Sequence, residues 1–386
     1  METGKSEKPV TVDLAGLGRP VRSESAQGVG RRLGALIRLA VIWVAAGALA
    51  LVLWVALYTL VIGRDRTAYD QDVYEGYRLV GAPGTTQLYT WEGYAVTSYG
   101  DHGLVVDKEL NPDVPRLLFL GDSYVEAKQV SDAGKFTEIV QNAWNAANPD
   151  TPVQSLNLGM AGQDIRTYLS FGRNMDREFA PSRVFVMLNQ QDFLPLANDP
   201  ELLAQFQADP TTKLIKPEKL GGLQAIISDT PVRQFFLRLL LQTNGFAADN
   251  AENKTAQAEL AGNTFDVLEG HEAAVATQLG ALRDIWGDRL VIVYNTYIPA
   301  FGKDAAPTYA PDTLMREAER LGIPLVNLYE PMLNAFQTQQ PPRGFQNTTL
   351  GVGHFNEHGH QIIADQILNF LDGAGPGEPR PLEVTP

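Results

Sequence analysis

Short runs of consecutive apolar residues alternate with stretches of helical spacing from about residue 114 to residue 372. Leu117-Leu118-Phe119-Leu120 has four apolar residues in a row, as in a strand buried on both faces of a parallel sheet. Gly121-Asp122 breaks that strand and Ser123 follows at once, at the carboxyl end where open α/β sheets place their sites. Phe136, Ile139, Val140, Ala143 and Trp144 then recur at helical spacing and predict a helix over 136–147. Further strands are expected at 153–158, 183–188, 290–294 and 324–328, and helices near 164–178, 265–286, 311–321 and 357–371. Strands separated by helices imply a parallel sheet with right-handed crossovers and helices on both faces. From Phe193 to about Asn263 there is no strand signal, and one helix is expected at 231–241. An insertion of that length leaving a strand end could form a lid or substrate wall, or a docking surface for another protein.

The first part of the chain follows a different pattern. Leu39 to Ile62 contains no charge over 24 residues, and a transmembrane helix needs about 20. Arg31, Arg32 and Arg38 precede this run, while Arg64 and Arg66 follow it. The balance favours a single span with a cytoplasmic amino terminus and an extracytoplasmic main domain. Residues 1–30 are polar and lack apolar periodicity, and 1–38 read as a disordered cytoplasmic tail. Residues 64–113, rich in Tyr and Gly, read as a membrane-proximal segment with small strands. The Gly- and Pro-rich end, 373–386, reads as a free tail. The expected organisation is therefore a tail, a span at 39–62, a membrane-proximal segment and an α/β domain over 114–372 carrying the insertion 193–263.

Composition narrows the function classes. Hydrophobic residues make up 44% of the 386 and charged residues 20%, which suits a protein with a sizeable core. The net charge of −14 argues against nucleic acid as a partner. The absence of cysteine removes disulfides, thiolate metal sites and cysteine nucleophiles. His354, His358 and His360 cluster, but no Asp or Cys stands with them at ligand spacing, so no metal is expected, nor any cofactor.

Four blocks carry candidate chemistry: Leu120-Gly121-Asp122-Ser123, Asn157 through Gly162, Asn189 through Asp192, and His354-Phe355-Asn356 with Gly359 following. In this order on an alternating α/β pattern, over about residues 115–371, they resemble the SGNH or GDSL-type hydrolases. The resemblance implies a flavodoxin-like three-layer α/β/α sandwich with about five parallel strands. It implies esterase, lipase, or carbohydrate deacetylase or acetyltransferase activity. Ser123 would be the nucleophile and His354 the general base. The N–H groups of Ser123 and Gly162 and the Gln191 amide would bind the oxyanion. The residue types suit this chemistry, because a serine hydroxyl attacks well only when a histidine takes its proton and preorganised donors meet the developing charge.

The chain departs from the family pattern in two respects. Gln191 stands where the family has asparagine, one methylene longer. Gly351 and Val352 stand where it has the acid that orients the histidine. Three readings follow: a Ser–His dyad oriented by a backbone carbonyl, a carboxylate supplied from elsewhere (Asp192 and Glu357 being candidates by sequence position), or an inactive site. The function expected is a membrane-anchored esterase or O-acyltransferase acting on acylated extracytoplasmic glycans or small esters. The alternative is an inactive scaffold or accessory subunit bound to a membrane-protein partner.

Overall fold

The structure, a computed structural model, describes residues 24–61, 67–70, 78–81, 84–89, 92–106, 108–210, 212, 214, 266–295, 311–338, 340–348, 350, 351 and 353–373. The chain divides into two units, Met1–Leu57 and Tyr58–Pro386.

The first unit holds most of helix α1, Glu24–Val61. Within it Arg31–Trp54 is long and apolar enough to cross a membrane. Leu36, Ile42, Trp43 and Leu53 are exposed along it. The helix starts well before the uncharged run, so residues 24–38, expected within the tail, are helical. Arg31, Arg32 and Arg38 are good helix formers, so charge limits a membrane span without ending a helix.

The second unit opens with two antiparallel hairpins. Strand β1 (Thr67–Asp70) pairs with β2 (Arg78–Gly81), and β3 (Thr85–Tyr89) pairs with β4 (Ala95–Tyr99). Along β4, Ala95, Thr97 and Tyr99 are buried and Val96 is exposed, the period-two signature of a half-covered strand. After β4 the chain ties to the main sheet through the Val105 N–H, which donates to the Asn157 carbonyl at 2.9 Å.

The main sheet has five parallel strands: β5 (Arg116–Leu120), β6 (Gln154–Asn157), β7 (Arg183–Leu188), β8 (Leu290–Tyr294) and β9 (Leu325–Asn327), in the spatial order β6-β5-β7-β8-β9. This is the flavodoxin-like doubly wound order, whose switch point lies between β5 and β7. Leu118 stands opposite Leu156 on one side and Val184 on the other.

Among the described residues the helices of this unit are α2 (Ser123–Glu126), α3 (Phe136–Ala147), α4 (Ile165–Phe179), α5 (Leu194–Ala197), α6 (Pro200–Ala208), α7 (Glu272–Trp286), α8 (Thr313–Arg320), α9 (Tyr329–Gln337) and α10 (Glu357–Leu371). Alternate strand residues feed two separate cores. Leu118, Leu120, Val184, Val186 and Ile292 pack with α4, α7 and α8. Leu117, Phe119, Phe185, Val291 and Val293 pack with α3, α9 and α10. Each fully buried Leu or Phe contributes about 1.5–3 kcal/mol relative to exposure.

Helix α9 was not expected from the sequence, although Tyr329, Met332, Leu333 and Phe336 follow helical spacing. Of the insertion, α5 and α6 bury Leu196, Leu203 and Phe206 on the α4 and α7 face. The helix expected at 231–241 and the tail after residue 373 lie outside the described residues.

His360, on α10, is buried among Phe136 and Phe355, and its Nδ1 accepts the Phe136 N–H at 3.3 Å. Burial, with Lys135 and His354 nearby, pulls its pKa down to about 3. Between that value and the ordinary value near 6.5, the unfolded chain binds a proton that the folded chain refuses, so this residue's contribution to stability falls as pH falls. The stability advantage of the wild type over His360→Asn should shrink by up to about 2 kcal/mol between about pH 7 and about pH 5. Urea denaturation of the full chain in detergent, followed by tryptophan fluorescence at both pH values, measures it; an unchanged difference would show that His360 titrates normally.

Candidate active site

Ser123 is the first residue of α2, directly after β5. The Asp122 side chain caps that helix, Oδ1 accepting the Tyr124 N–H at 2.9 Å. Burial pushes the Asp122 carboxyl up, against the pull of the Tyr124 N–H, His354 and Arg343. The loop after β6 closes on this turn: Asn157 Nδ2 donates to the Val125 carbonyl at 2.8 Å, and the Met160 N–H donates to the Gly121 carbonyl at 3.0 Å. Glu126, buried, accepts the Ala161 N–H at 3.0 Å and an ion pair from Lys128 at 3.0 Å. It thereby fixes the chain just before Gly162, which has φ +78° and is exposed.

His354 lies in the loop before α10, and its Nε2 is 2.8 Å from Ser123 Oγ. Its Nδ1 contacts Glu92 Oε2, and its backbone N–H donates to Glu92 Oε1 at 2.6 Å. An ionised carboxylate can only accept, so Nδ1 carries the proton and Nε2 is left free to accept from the serine hydroxyl. The site therefore departs from the expected dyad: a carboxylate does stand behind the histidine, and it comes from the tip of the β3–β4 hairpin.

Neither carboxylate suggested by sequence position fills that place. Asp192 Oδ2 accepts the Asn189 N–H at 2.7 Å in a reciprocal capping box. It is buried, and burial pushes its carboxyl well up, with Asp122 and Asp164 reinforcing that effect. Glu357 is exposed in the first turn of α10. Of the positions where the resemblance expects an acid, Gly351 sits at φ +87° with its N–H on the Arg343 carbonyl, and Val352 lies outside the described residues.

The hairpin tip is held in place by close packing. The Gly93 N–H donates to Asn347 Oδ1 at 2.9 Å, and Asn347 Nδ2 donates to the Gly93 carbonyl at 3.0 Å. Gly93 has φ +75°, and a Cβ there would meet the Gln129 carbonyl oxygen at 2.4 Å. Below the hairpin Lys135 is fully buried and donates to Thr97 Oγ1, the Ala127 carbonyl and the Val130 carbonyl at 3.0, 2.5 and 3.0 Å. Burial lowers its pKa to about 8.

The block after β7 is a tight turn. Asn189 Oδ1 accepts the Gln191 N–H at 2.7 Å, and Gln191 itself is exposed. Gln190 points elsewhere: Nε2 donates to Asp312 Oδ2 at 2.7 Å, and Oε1 accepts the Val267 N–H at 2.7 Å. Ser123 and His354 are thus brought into contact, while Gly162 and Gln191 stand on the loops after β6 and β7, at the same carboxyl edge as Ser123. Of the three clustered histidines, His354 faces the serine, His358 is exposed and His360 is buried in the core. Among the described residues no cluster of His, Asp and Glu has the arrangement of a metal site.

A serine hydroxyl aligned on an imidazole that is aligned on a carboxylate can form and break acyl bonds. Glu92 carries no local sequence signal of this role. It is 262 positions from His354 and is marked only by the turn pattern Trp91-Glu92-Gly93-Tyr94 between two alternating runs.

No protein-family model matches the chain. No curated protein matches it either. Among solved structures it is similar to LAE5, an alpha/beta hydrolase enzyme from the metagenome of Lake Arreo, Spain, at 14% identity and TM-score 0.33, covering 67% of this chain and 95% of that one. It is similar to a catalytic mutant of Axe2, an acetylxylan esterase from Geobacillus stearothermophilus, at 13% identity and TM-score 0.35, covering 66% and 93%. It is similar to TesA at 12% identity and TM-score 0.35, covering 66% and 97%. At these values the likeness carries no argument about function, which rests on the contacts among Ser123, His354 and Glu92.

Proposed function

We propose that the chain is an SGNH-type serine ester hydrolase or O-acyltransferase, held to a membrane by α1 and acting through Ser123, His354 and Glu92. The observation that carries this reading is the unbroken line from Ser123 Oγ to His354 Nε2 at 2.8 Å and from His354 Nδ1 to Glu92. Ser123 Oγ attacks the ester carbonyl carbon as His354 Nε2 takes its proton. Glu92 stabilises the imidazolium. The oxyanion is met by the N–H groups of Ser123 and Gly162 and the Gln191 amide, each such donor being worth about 3–4 kcal/mol where deletions have been measured. Collapse breaks the bond to the alcohol, which leaves with the proton from His354. Water or a sugar hydroxyl, deprotonated by the same nitrogen, then attacks the acyl-serine and releases the acyl group.

The substrate class is acyl esters, acetyl first among them, on extracytoplasmic glycans. The uncharged run and its basic flank support that side of the membrane for the α/β domain. The wild type in detergent should hydrolyse p-nitrophenyl acetate, and Ser123→Ala should lower kcat by about 10⁴-fold or more. Equal rates for the two across several acyl esters and acetylated glycans would overturn the enzyme reading and leave the scaffold alternative.

A further inference from the structure

One side chain touches the residue after Ser123 and the residues on both sides of His354. Arg343 Nη1 donates to Tyr124 Oη at 2.8 Å and to the Gly353 carbonyl at 3.2 Å, and Nη2 donates to Asn295 Oδ1 at 2.7 Å. Its guanidinium carbon lies 4.3 Å from the Phe355 ring centroid and 4.9 Å from that of Tyr124. The Tyr124 ring in turn stands 5.1 Å from the His354 ring and 5.0 Å from the Phe355 ring. The backbone repeats the tie: the Gly344 N–H donates to the His354 carbonyl at 3.0 Å, and the Asn356 N–H to the Pro342 carbonyl at 3.1 Å. Asn295 extends the line to the sheet, its N–H donating to the Leu188 carbonyl at 2.9 Å.

We infer that Arg343 is a positioning residue, whose planar fork fixes the His354 loop against the Ser123 turn and sets the distance from Oγ to Nε2. Each hydrogen-bond acceptor it meets here is neutral: a phenol, a main-chain carbonyl and an amide. These three contacts are matched by the geometry of the fork, and a lysine, whose three N–H donors share one nitrogen, cannot span all three acceptors. Serine–histidine alignment is sensitive to small displacements, a shift of about 1 Å costing on the order of 10²-fold in rate. The inference rests on the proposed Ser123–His354 chemistry.

The test is steady-state kinetics per competent site. A fluorophosphonate titrates the fraction of chains with an active serine, and p-nitrophenyl acetate gives turnover for that fraction. Arg343→Met should keep the titrated fraction near that of the wild type, lower kcat per site by about 10²-fold and leave KM within about twofold. Arg343→Lys should recover part of the loss. Tyr124→Phe, which deletes one acceptor and keeps the ring, should lower kcat per site by about three- to tenfold; it keeps the test valid if Arg343→Met fails to fold. Unchanged kcat per site in both Arg343→Lys and Tyr124→Phe overturns the inference. So does a loss confined to the titrated fraction, or a rise in KM at constant kcat. A wild type that neither titrates nor turns over removes the proposed function itself, and the inference with it.

Discussion

Glu92→Gln should lower kcat on an activated acetyl ester by about 10⁴-fold, with the fold intact. The carboxylate meets two donors, the His354 N–H and the His354 Nδ1–H. Glutamine offers one oxygen and one NH2 group. If its oxygen stays on the backbone N–H, its NH2 faces Nδ1 and forces the imidazole into the other tautomer. Nε2 then carries the proton and cannot take one from Ser123. Glu92→Asp keeps the charge and the two acceptors but falls short by one methylene, so it should be intermediate. Rates of the three proteins, normalised to folded protein by near-ultraviolet circular dichroism, check this. A glutamine variant within about tenfold of the wild type would show that Glu92 does not serve the histidine.

Gly353→Ala should lower kcat by about 10²–10³-fold through the same contact. A Cβ at position 353 would stand 2.0 Å from Glu92 Oε1, and the residue sits at φ +90°, where an alanine is strained. The obstructed atom is the far end of a flexible side chain, so the carboxylate swings away and the protein folds. The strain itself costs about 1–2 kcal/mol of stability. Swinging away removes Glu92 from His354, which is why catalysis suffers more than stability. In a Glu92→Gln background the same substitution should cost little further rate, because both changes act on one contact. Additive losses in that double-mutant cycle would place the effect of Gly353 elsewhere.

The parts of this site that could be read in advance are those encoded over a few residues. The strands before Ser123 and Gln191 are apolar runs, and the turn at Gly121-Asp122 follows from residue type. Asn356, which caps α10 through the Gly359 N–H, marks the start of the helix after His354. The two-faced core was legible for the same reason, since β5 and β7 after their first arginine are apolar runs whose alternate residues face opposite helical layers.

Glu92 was illegible because its role depends on a hairpin docking. That docking rests on Gly93 against the Gln129 carbonyl and on the reciprocal pair with Asn347, neither of which has a period or a spacing. That positions 351 and 352 hold no acid was visible, but the carboxylate that meets His354 is set only by tertiary structure. The capping box of Asn189 and Asp192 likewise shows why Asp192, the acid nearest in the motif, is unavailable.

Peptide mass spectrometry after treatment with a fluorophosphonate asks directly whether Ser123 is a nucleophile served by His354 and Glu92. The wild type should carry one adduct per chain, on Ser123. Labelling should be absent in His354→Ala and slower by a factor of about 10⁴ in Glu92→Gln. An unmodified Ser123 in folded wild-type protein, or equal labelling rates in the wild type and Glu92→Gln, would contradict it.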